Sequence, residues 1–333
     1  MAITRLNSLA IPSGTITADN LAEGAAPGSG ENLLINGCMR VWQRGTDAVT
    51  VGSSVTYVPD RFFVYAQGAT VTAQYQEITL DGFSFATRIT GASGVTDAEL
   101  SQRVEALNVK HLVGGSVTVS FYAKASSALT ATVKLFHADA EDDFSYITSI
   151  STDTVSVGTS FARHSVTFSS LPANTANGLQ VGIYTGALGA SETIDITGVK
   201  MESGTSVTDF VFTTYADELA KCQRYYFNMG SIDFHGWNHN VADTSGSRAA
   251  QVTAFPVTMR ANPSLSCDDG AGNANKFWYQ TPTQTGGNNL TPWVYINTNR
   301  INAGLRYPYG AIYGSNGDSM LFGFANGKLN AEL

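Results

Sequence analysis

The side chains best suited to holding a ligand are aromatic and lie in the last third of the chain. Trp237, Trp278, Tyr279, Trp293, Tyr307 and Tyr309 sit among Asn- and Gly-rich stretches, GGNN at Gly286–Asn289 among them. An aromatic ring presents an apolar face to the apolar face of a pyranose, while Asn, Gln and Asp reach its hydroxyls. These six are the candidate glycan contacts, expected on polar loops between short strands. Core or subunit-interface packing is the competing role for the same rings. Trp42, within the stretch Trp42-Gln43-Arg44, could stack on a sugar too, but the commoner use of such a Trp is to plug a sandwich core, and that is expected here. Asp60 and Arg61 are expected to pair or to close a loop.

Other clusters are weaker. His235 and His239 are four apart, a zinc-binding spacing on a helix, but Gly236 and Asn238 favour strand or loop and no HExxH glutamate lies between them. The acidic runs ADAEDDF (Asp139, Glu141, Asp142, Asp143) and CDDGAGN (Asp268, Asp269) lack EF-hand spacing and read as solvated turns. A structural calcium held by carboxylates and carbonyls is the one conceivable ion. Otherwise no metal and no cofactor is expected. Cys38, Cys222 and Cys267 are isolated, odd in number and without a CxxC pair, so free thiols are expected. No nucleophile elbow and no phosphate-cradling Gly loop occurs, and no pair of carboxylates stands out as a glycosidase pair. No catalytic residue is assigned.

The elements that must carry these residues are mostly strands. Val71, Ala73 and Tyr75 alternate with Thr72, Gln74 and Gln76; Val117, Val119 and Phe121 alternate with Thr118, Ser120 and Tyr122; Val133 and Leu135 alternate with Thr132 and Lys134. ARHSVTF, LQVGIY and ETIDITGVKM continue the period of two, which marks half-buried antiparallel strands, and many in a row mean a sandwich or jelly roll. Thr96-x-x-Glu99 before Leu100, Val104 and Leu107 mimics a helix start. The surrounding strands favour reading LSQRVEAL as strand. YADELAKCQRYY predicts a helix with Tyr215, Leu219 and Cys222 on one face, acidic residues early and basic ones late.

The expected organisation is all-β. Residues 1–32 form an extended segment with Ile3, Leu6, Leu9, Ile11, Ile16 and Leu21 as anchoring side chains, ending in the flexible linker AEGAAPGSGEN. Residues 33–213 form a central jelly-roll sandwich, 214–224 a linking helix, and 225–333 a C-terminal β-sandwich domain. Of the 333 residues, 43% are hydrophobic and only 14% charged. Average soluble domains carry roughly 25% charged residues. A formal charge of −8 without any Lys/Arg run argues against nucleic acid. No apolar stretch reaches membrane-span length, and the N-terminus lacks the pattern of a secretion signal. Assembly in a reducing cytoplasm is expected.

NLLINGCMRVWQRG followed by PDRFFV resembles the opening of a domain found in many bacteriophage tail-fibre and virion structural proteins, where a pattern like N-L-L-I-N-G-x-F-x-V-W-Q-R-G precedes A-D-R-W. Cys38 and Met39 replace a small or aromatic pair, and Phe62 stands where Trp is common. QRVEALNVKHLVGGSVTVSFYAKA resembles that family's strand pair. GVKMESGTSVTDF resembles its closing strand, DELAKCQRYY the junction that follows, and FPVTMRANPS with the terminal NAEL its C-terminal domain. GTITADNLA resembles fibre attachment segments.

The resemblance implies a carbohydrate-binding-module-like jelly roll, a homotrimer, and a place in the virion. It implies attachment to other virion proteins through the N-terminal segment and binding of host surface polysaccharide without catalysis. A head fibre, decoration or collar protein with a purely structural role is the alternative, and a glycan depolymerase the lesser one.

Overall fold

The computed structural model describes residues 30–237, 248–281, 284–285, 292–306 and 319–333. The anchor candidates Ile3, Leu6, Leu9, Ile11, Ile16 and Leu21 lie outside the described residues, as do Tyr307 and Tyr309. The chain divides into two units after Thr213, the second running Thr214–Glu332.

The first unit is a sandwich. Its strands are β1 (Val49–Val51), β2 (Thr56–Tyr57), β3 (Phe63–Gln67), β4 (Val71–Leu80), β5 (Phe83–Thr90), β6 (Asp97–Val104), β7 (Ser116–Ala125), β8 (Leu129–Ala140), β9 (Asp143–Val157), β10 (Ala162–Ser169), β11 (Leu179–Tyr184) and β12 (Thr193–Ser203). One antiparallel sheet has the order β1-β4-β5-β12-β7-β10 and the other β2-β3-β6-β11-β8-β9. The chain crosses repeatedly between the sheets, so neighbours such as β6 and β11 come from distant sequence, the jelly-roll habit. The all-β sandwich expected from the alternation is the observed fold. Val117, Val119, Phe121 and Ala123 of β7 meet Leu100 of β6, Val133 and Leu135 of β8 and Ile183 of β11 in one core. Of LSQRVEAL, Leu100–Val104 is strand as expected, within Asp97–Val104, but Ala106 and Leu107 are not: they begin a short helix, α1 (Ala106–Val109).

The opening motif is a structural hub rather than a ligand site. The Asn32 side chain accepts from the Leu34 and Met201 amides and donates to the Val199 carbonyl, pinning the entering chain to β12. Asn36 is fully buried in the left-handed region, at φ 61°. Gly37 lies so close to β12 that a Cβ there would stand 2.0 Å from the Val199 carbonyl oxygen. Gln102 exchanges two hydrogen bonds with the Ile35 backbone, both 2.8 Å. Trp42 packs half-buried against the core, edge-on to Tyr75, and its indole donates to the Met39 carbonyl. It packs on the margin of the core and is not one of its fully buried members. Asp60 accepts from Gln43 and Arg44, and the buried Arg61 donates to the Arg103 carbonyl. Both residues close the hub.

On the outer face of the first sheet, the irregular backbone of residues 204–213 runs as a strap. Lys200 and Glu202 point outward from β12 beneath it, each 1% exposed and 3.0 Å apart. Lys200 donates to the Thr208 hydroxyl and carbonyl and the Asp209 carbonyl, while Glu202 accepts from the Thr208 amide and hydroxyl. Arg163 donates to the Thr208 carbonyl and Arg40 to that of Thr213. Phe210 and Phe212 close over Phe83.

The second unit opens with α2 (Tyr215–Gln223), capped by Thr214, whose hydroxyl accepts from the Asp217 amide. Its buried face is Glu218 and Cys222. Tyr215, expected on that face, is instead exposed, because the cap places the buried stripe three residues later. The strands are β13 (Tyr226–Trp237), β14 (Arg248–Ala254), β15 (Ser264–Asp268), β16 (Trp278–Thr281), β17 (Gln284–Thr285), β18 (Pro292–Ile296), β19 (Arg300–Arg306) and β20 (Ser319–Asn330). One sheet runs β13-β20-β16-β17, with β15 also paired to β20, and a smaller one runs β14-β19-β18. Phe255, Met259, Phe277, Ile301, Phe324 and Leu329 form the described part of its core. Cys38, Cys222 and Cys267 are buried and none is in a disulfide, and burial with the neighbouring Asp268 pushes the Cys267 thiol up to about 11.

Candidate functional site

The second sheet of the sandwich turns its inward positions to the core, so its other face is fixed by register. Tyr65 of β3, Glu99 of β6, Tyr184 of β11 and Thr132 of β8 lie side by side in one row. The next row is Phe63, Ser101, Gly182 and Lys134; the one after it holds Arg103, Gln180 and Phe136. Four strands from separate parts of the sequence thus place rings, hydroxyls, an amide and charges on one surface.

Gly182 sets the floor of this surface. A Cβ there would fall 2.4 Å from the Ser101 hydroxyl and 2.7 Å from the Tyr184 ring, so the side chains on both sides lean over the glycine. Glu99 is 8% exposed. Its carboxylate accepts from the Ser101 hydroxyl at 2.8 Å and from Tyr184. Burial nevertheless holds the Glu99 pKa above the usual carboxylate range, outweighing the hydrogen bonds from Tyr184 and Ser101. Tyr184 is pushed well above the ordinary phenol value, by burial first and then by the negative charge of Glu99. The Lys134 ammonium stands 3.7 Å from the centre of the Tyr184 ring, and Phe136 lies 6.5 Å from the same ring. Arg103 donates to Gln180 and sits over the rings of Phe63 and Phe144. The result is a platform of partly exposed rings, Tyr65, Phe136 and Tyr184, with Lys134 beside them and the buried Glu99, Ser101 and Gln180 fixed beneath; such ring faces suit an amphipathic ring-shaped ligand.

The raised Glu99 value has a consequence for stability. Its proton is held more tightly in the folded than in the unfolded chain, so folding is penalised once pH rises through the folded value and the penalty vanishes below the unfolded value. Glu99→Gln should therefore melt about 2–4 °C above the parent near pH 7.5. The gap should close as pH falls to about 4. Calorimetric melts of both proteins across that range check it; a gap independent of pH would contradict the assignment.

The aromatic candidates of the second unit lie elsewhere. Trp237 is in β13 and Trp278 and Tyr279 in β16, two strands that flank β20 in one sheet; Trp293 is in β18 of the other sheet. The expectation of loop aromatics is thus corrected for these four. The ladder pairs Trp237 with Ser319, Trp278 with Gly323 and Trp293 with Gly304, and the Asn- and Gly-rich stretch Gly286–Asn289 lies outside the described residues. Of the weaker clusters, His235 lies in β13, and His239 and Asp243 lie outside the described residues. Glu141 and Asp142 form the β8–β9 turn and Asp143 opens β9; Asp142 accepts from the Ala106 amide and Asp143 from Ser145. Asp269 likewise serves its own turn, accepting from the amides of Ala271 and Asn273. Among the described residues no group of three or more His, Cys, Asp or Glu side chains is placed to hold a metal ion. No helix among them is long and apolar enough to cross a membrane.

No protein-family model and no curated protein matches the sequence. Solved structures do resemble it. The enzymatically active domain of tailspike protein 4 from bacteriophage CBA120 is 15% identical over 52% of this chain and 21% of its own, with a TM-score of 0.36. A family 4 carbohydrate-binding module is 18% identical over 50% of this chain and 97% of its own, with a TM-score of 0.34. A family 22 xylan-binding domain from Paenibacillus barcinonensis is 12% identical over 55% of this chain and all of its own, with a TM-score of 0.35.

Proposed function

We propose that this chain is a carbohydrate-binding virion structural protein, a short tail-fibre or spike subunit that holds surface glycans without cleaving them. The observation that carries the binding half is the platform on β3, β6, β11 and β8, where the partly exposed rings of Tyr65, Tyr184 and Phe136 lie beside Lys134 over the buried polar groups of Glu99, Ser101 and Gln180. The virion half rests on the resemblance of the opening and closing motifs. Attachment through residues 1–32, homotrimeric assembly and a second set of contacts at Trp237, Trp278, Tyr279, Trp293, Tyr307 and Tyr309 complete the reading. Three copies of a weak site on one assembly would bind a polymer by avidity.

The test is binding of the full chain to a panel of bacterial and plant polysaccharides, with reducing ends assayed in parallel. Tyr184→Ala should weaken binding by roughly tenfold or more, the loss expected for a stacking ring at a site centre, with circular dichroism unchanged. If only Ala substitutions at Trp237, Trp278 or Trp293 weaken it, the site belongs to the second unit. New reducing ends would make the protein a depolymerase. No binding to any polymer would end the glycan reading and leave the structural alternative.

A further inference from the structure

Lys134 is a cation on the platform that forms no direct ion pair among the described residues, the Glu99 carboxylate acting on it only through space. Lys110, Lys124 and Lys200 each have a carboxylate oxygen within reach, at 3.9, 3.5 and 3.0 Å. Among the described residues Lys134 forms no such pair. Its ammonium rests against the face of Tyr184, 3.7 Å from the ring centre, a weak cation–ring contact.

The neighbours in its row do not change this. Gly182 on one side and Thr152 on the other carry no charge. The acidic groups of β6 are already engaged. Glu99 accepts from Ser101 and Tyr184 and feels Lys134 through space. Asp97 accepts from the Gly186 amide at 3.0 Å. Arg103, one row away, is held by Gln180, by the main-chain oxygen of Leu333 and by two rings. The cation is also no by-product of a basic surface, because the chain carries a formal charge of −8.

On the reading of this face as a glycan site, we infer that the glycan it takes is acidic, with Lys134 as counter-ion to a ligand carboxylate. A uronic-acid ring would lay its apolar face along Tyr184 or Phe136 and turn its carboxylate to Lys134. The lysine would exchange a weak ring contact for a charge-assisted hydrogen bond, which is the stronger of the two.

The experiment compares polygalacturonate, alginate and hyaluronate with their carboxyl-reduced, neutral forms, using the immobilised full chain. At least one acid form should bind about tenfold or more tightly than its reduced form at low salt, the size of one charge-assisted contact. Lys134→Gln should abolish the difference, and Lys134→Arg should keep most of it. Equal binding of acid and reduced forms, or a preference that survives Lys134→Gln, overturns the acidic assignment while leaving the glycan site in place. Failure of every acid, reduced and neutral polymer to bind overturns the glycan reading and this inference with it.

Discussion

Asn36→Ala should destabilise the first unit by about 3–5 kcal/mol, one of the two largest single-residue effects expected in this chain. Asn36 is fully buried, and its side chain makes four hydrogen bonds. It donates to the carbonyls of Val41 and Asp60 at 2.9 and 3.0 Å, and it accepts from the amides of Arg40 and Val41 at 2.9 and 3.0 Å. Alanine removes all four and strands main-chain groups away from water, where each lost partner costs about 1–3 kcal/mol. The backbone angle adds to this, since φ is 61° and Asn tolerates that region better than Ala. Asn36→Gly relieves the angle but not the bonds, so it should cost somewhat less than Ala. Hydrogen exchange on the full chain reads the effect directly, because the Arg40 and Val41 amides lose their acceptor and should exchange far faster. A loss of stability below about 1 kcal/mol would mean that water replaces the side chain in the hub.

The hub shows what the sequence could and could not convey. Period two in β4, β7 and β8 identifies the inward set, and Val117, Val119 and Phe121 are fully buried as that pattern demands. It also separates Asp97–Val104 from its helix-like spacing, since the strand pairs on both sides with β3 and β11. Alternation says that Glu99, Lys134 and Tyr184 face outward. Only register says that they face outward together, and register between β6, β8 and β11 is set by hydrogen bonds across more than one crossover. The signal available in advance was in LQVGIY. A glycine inside a strand followed by an aromatic at an outward position marks a floor with a ring beside it. In the Trp-rich region the density of Asn and Gly predicts loop, but Trp278, Tyr279 and Trp293 stand in short runs without either residue. Trp278–Thr281 and Pro292–Ile296 are rich in aromatic and β-branched side chains and pair in sheets, as their own composition favours. Helix α2 shows a third limit: the spacing found the helix, but its rotation followed the Thr214 cap, which left Tyr215 exposed.

Glu202→Gln should be the other severe substitution, and its severity should come from the lysine left behind. Lys200 and Glu202 are each 1% exposed, and both are taken out of water by the strap above them. Two charges at 3.0 Å in a dry setting balance each other's desolvation. Removing one leaves a buried charge unanswered, at about 3–5 kcal/mol. Replacing both residues, in Lys200→Met with Glu202→Leu, removes that unanswered charge but also removes the groups that hold Thr208 and Asp209. The pair variant should therefore recover much of the stability lost in Glu202→Gln, yet leave the strap loosely held, because the Thr208 amide and hydroxyl no longer have the carboxylate to bond. Calorimetry and proteolysis should then part company. The pair variant should melt nearer the parent than the single variant, while chymotrypsin should cut it beside Phe210 or Phe212 at least several-fold faster than the parent. If the pair variant melts lower than Glu202→Gln, the ion pair contributes net stability beyond cancelling its own burial. If it resists chymotrypsin as the parent does, the packing of Phe210 and Phe212 on Phe83 holds the strap without the charges.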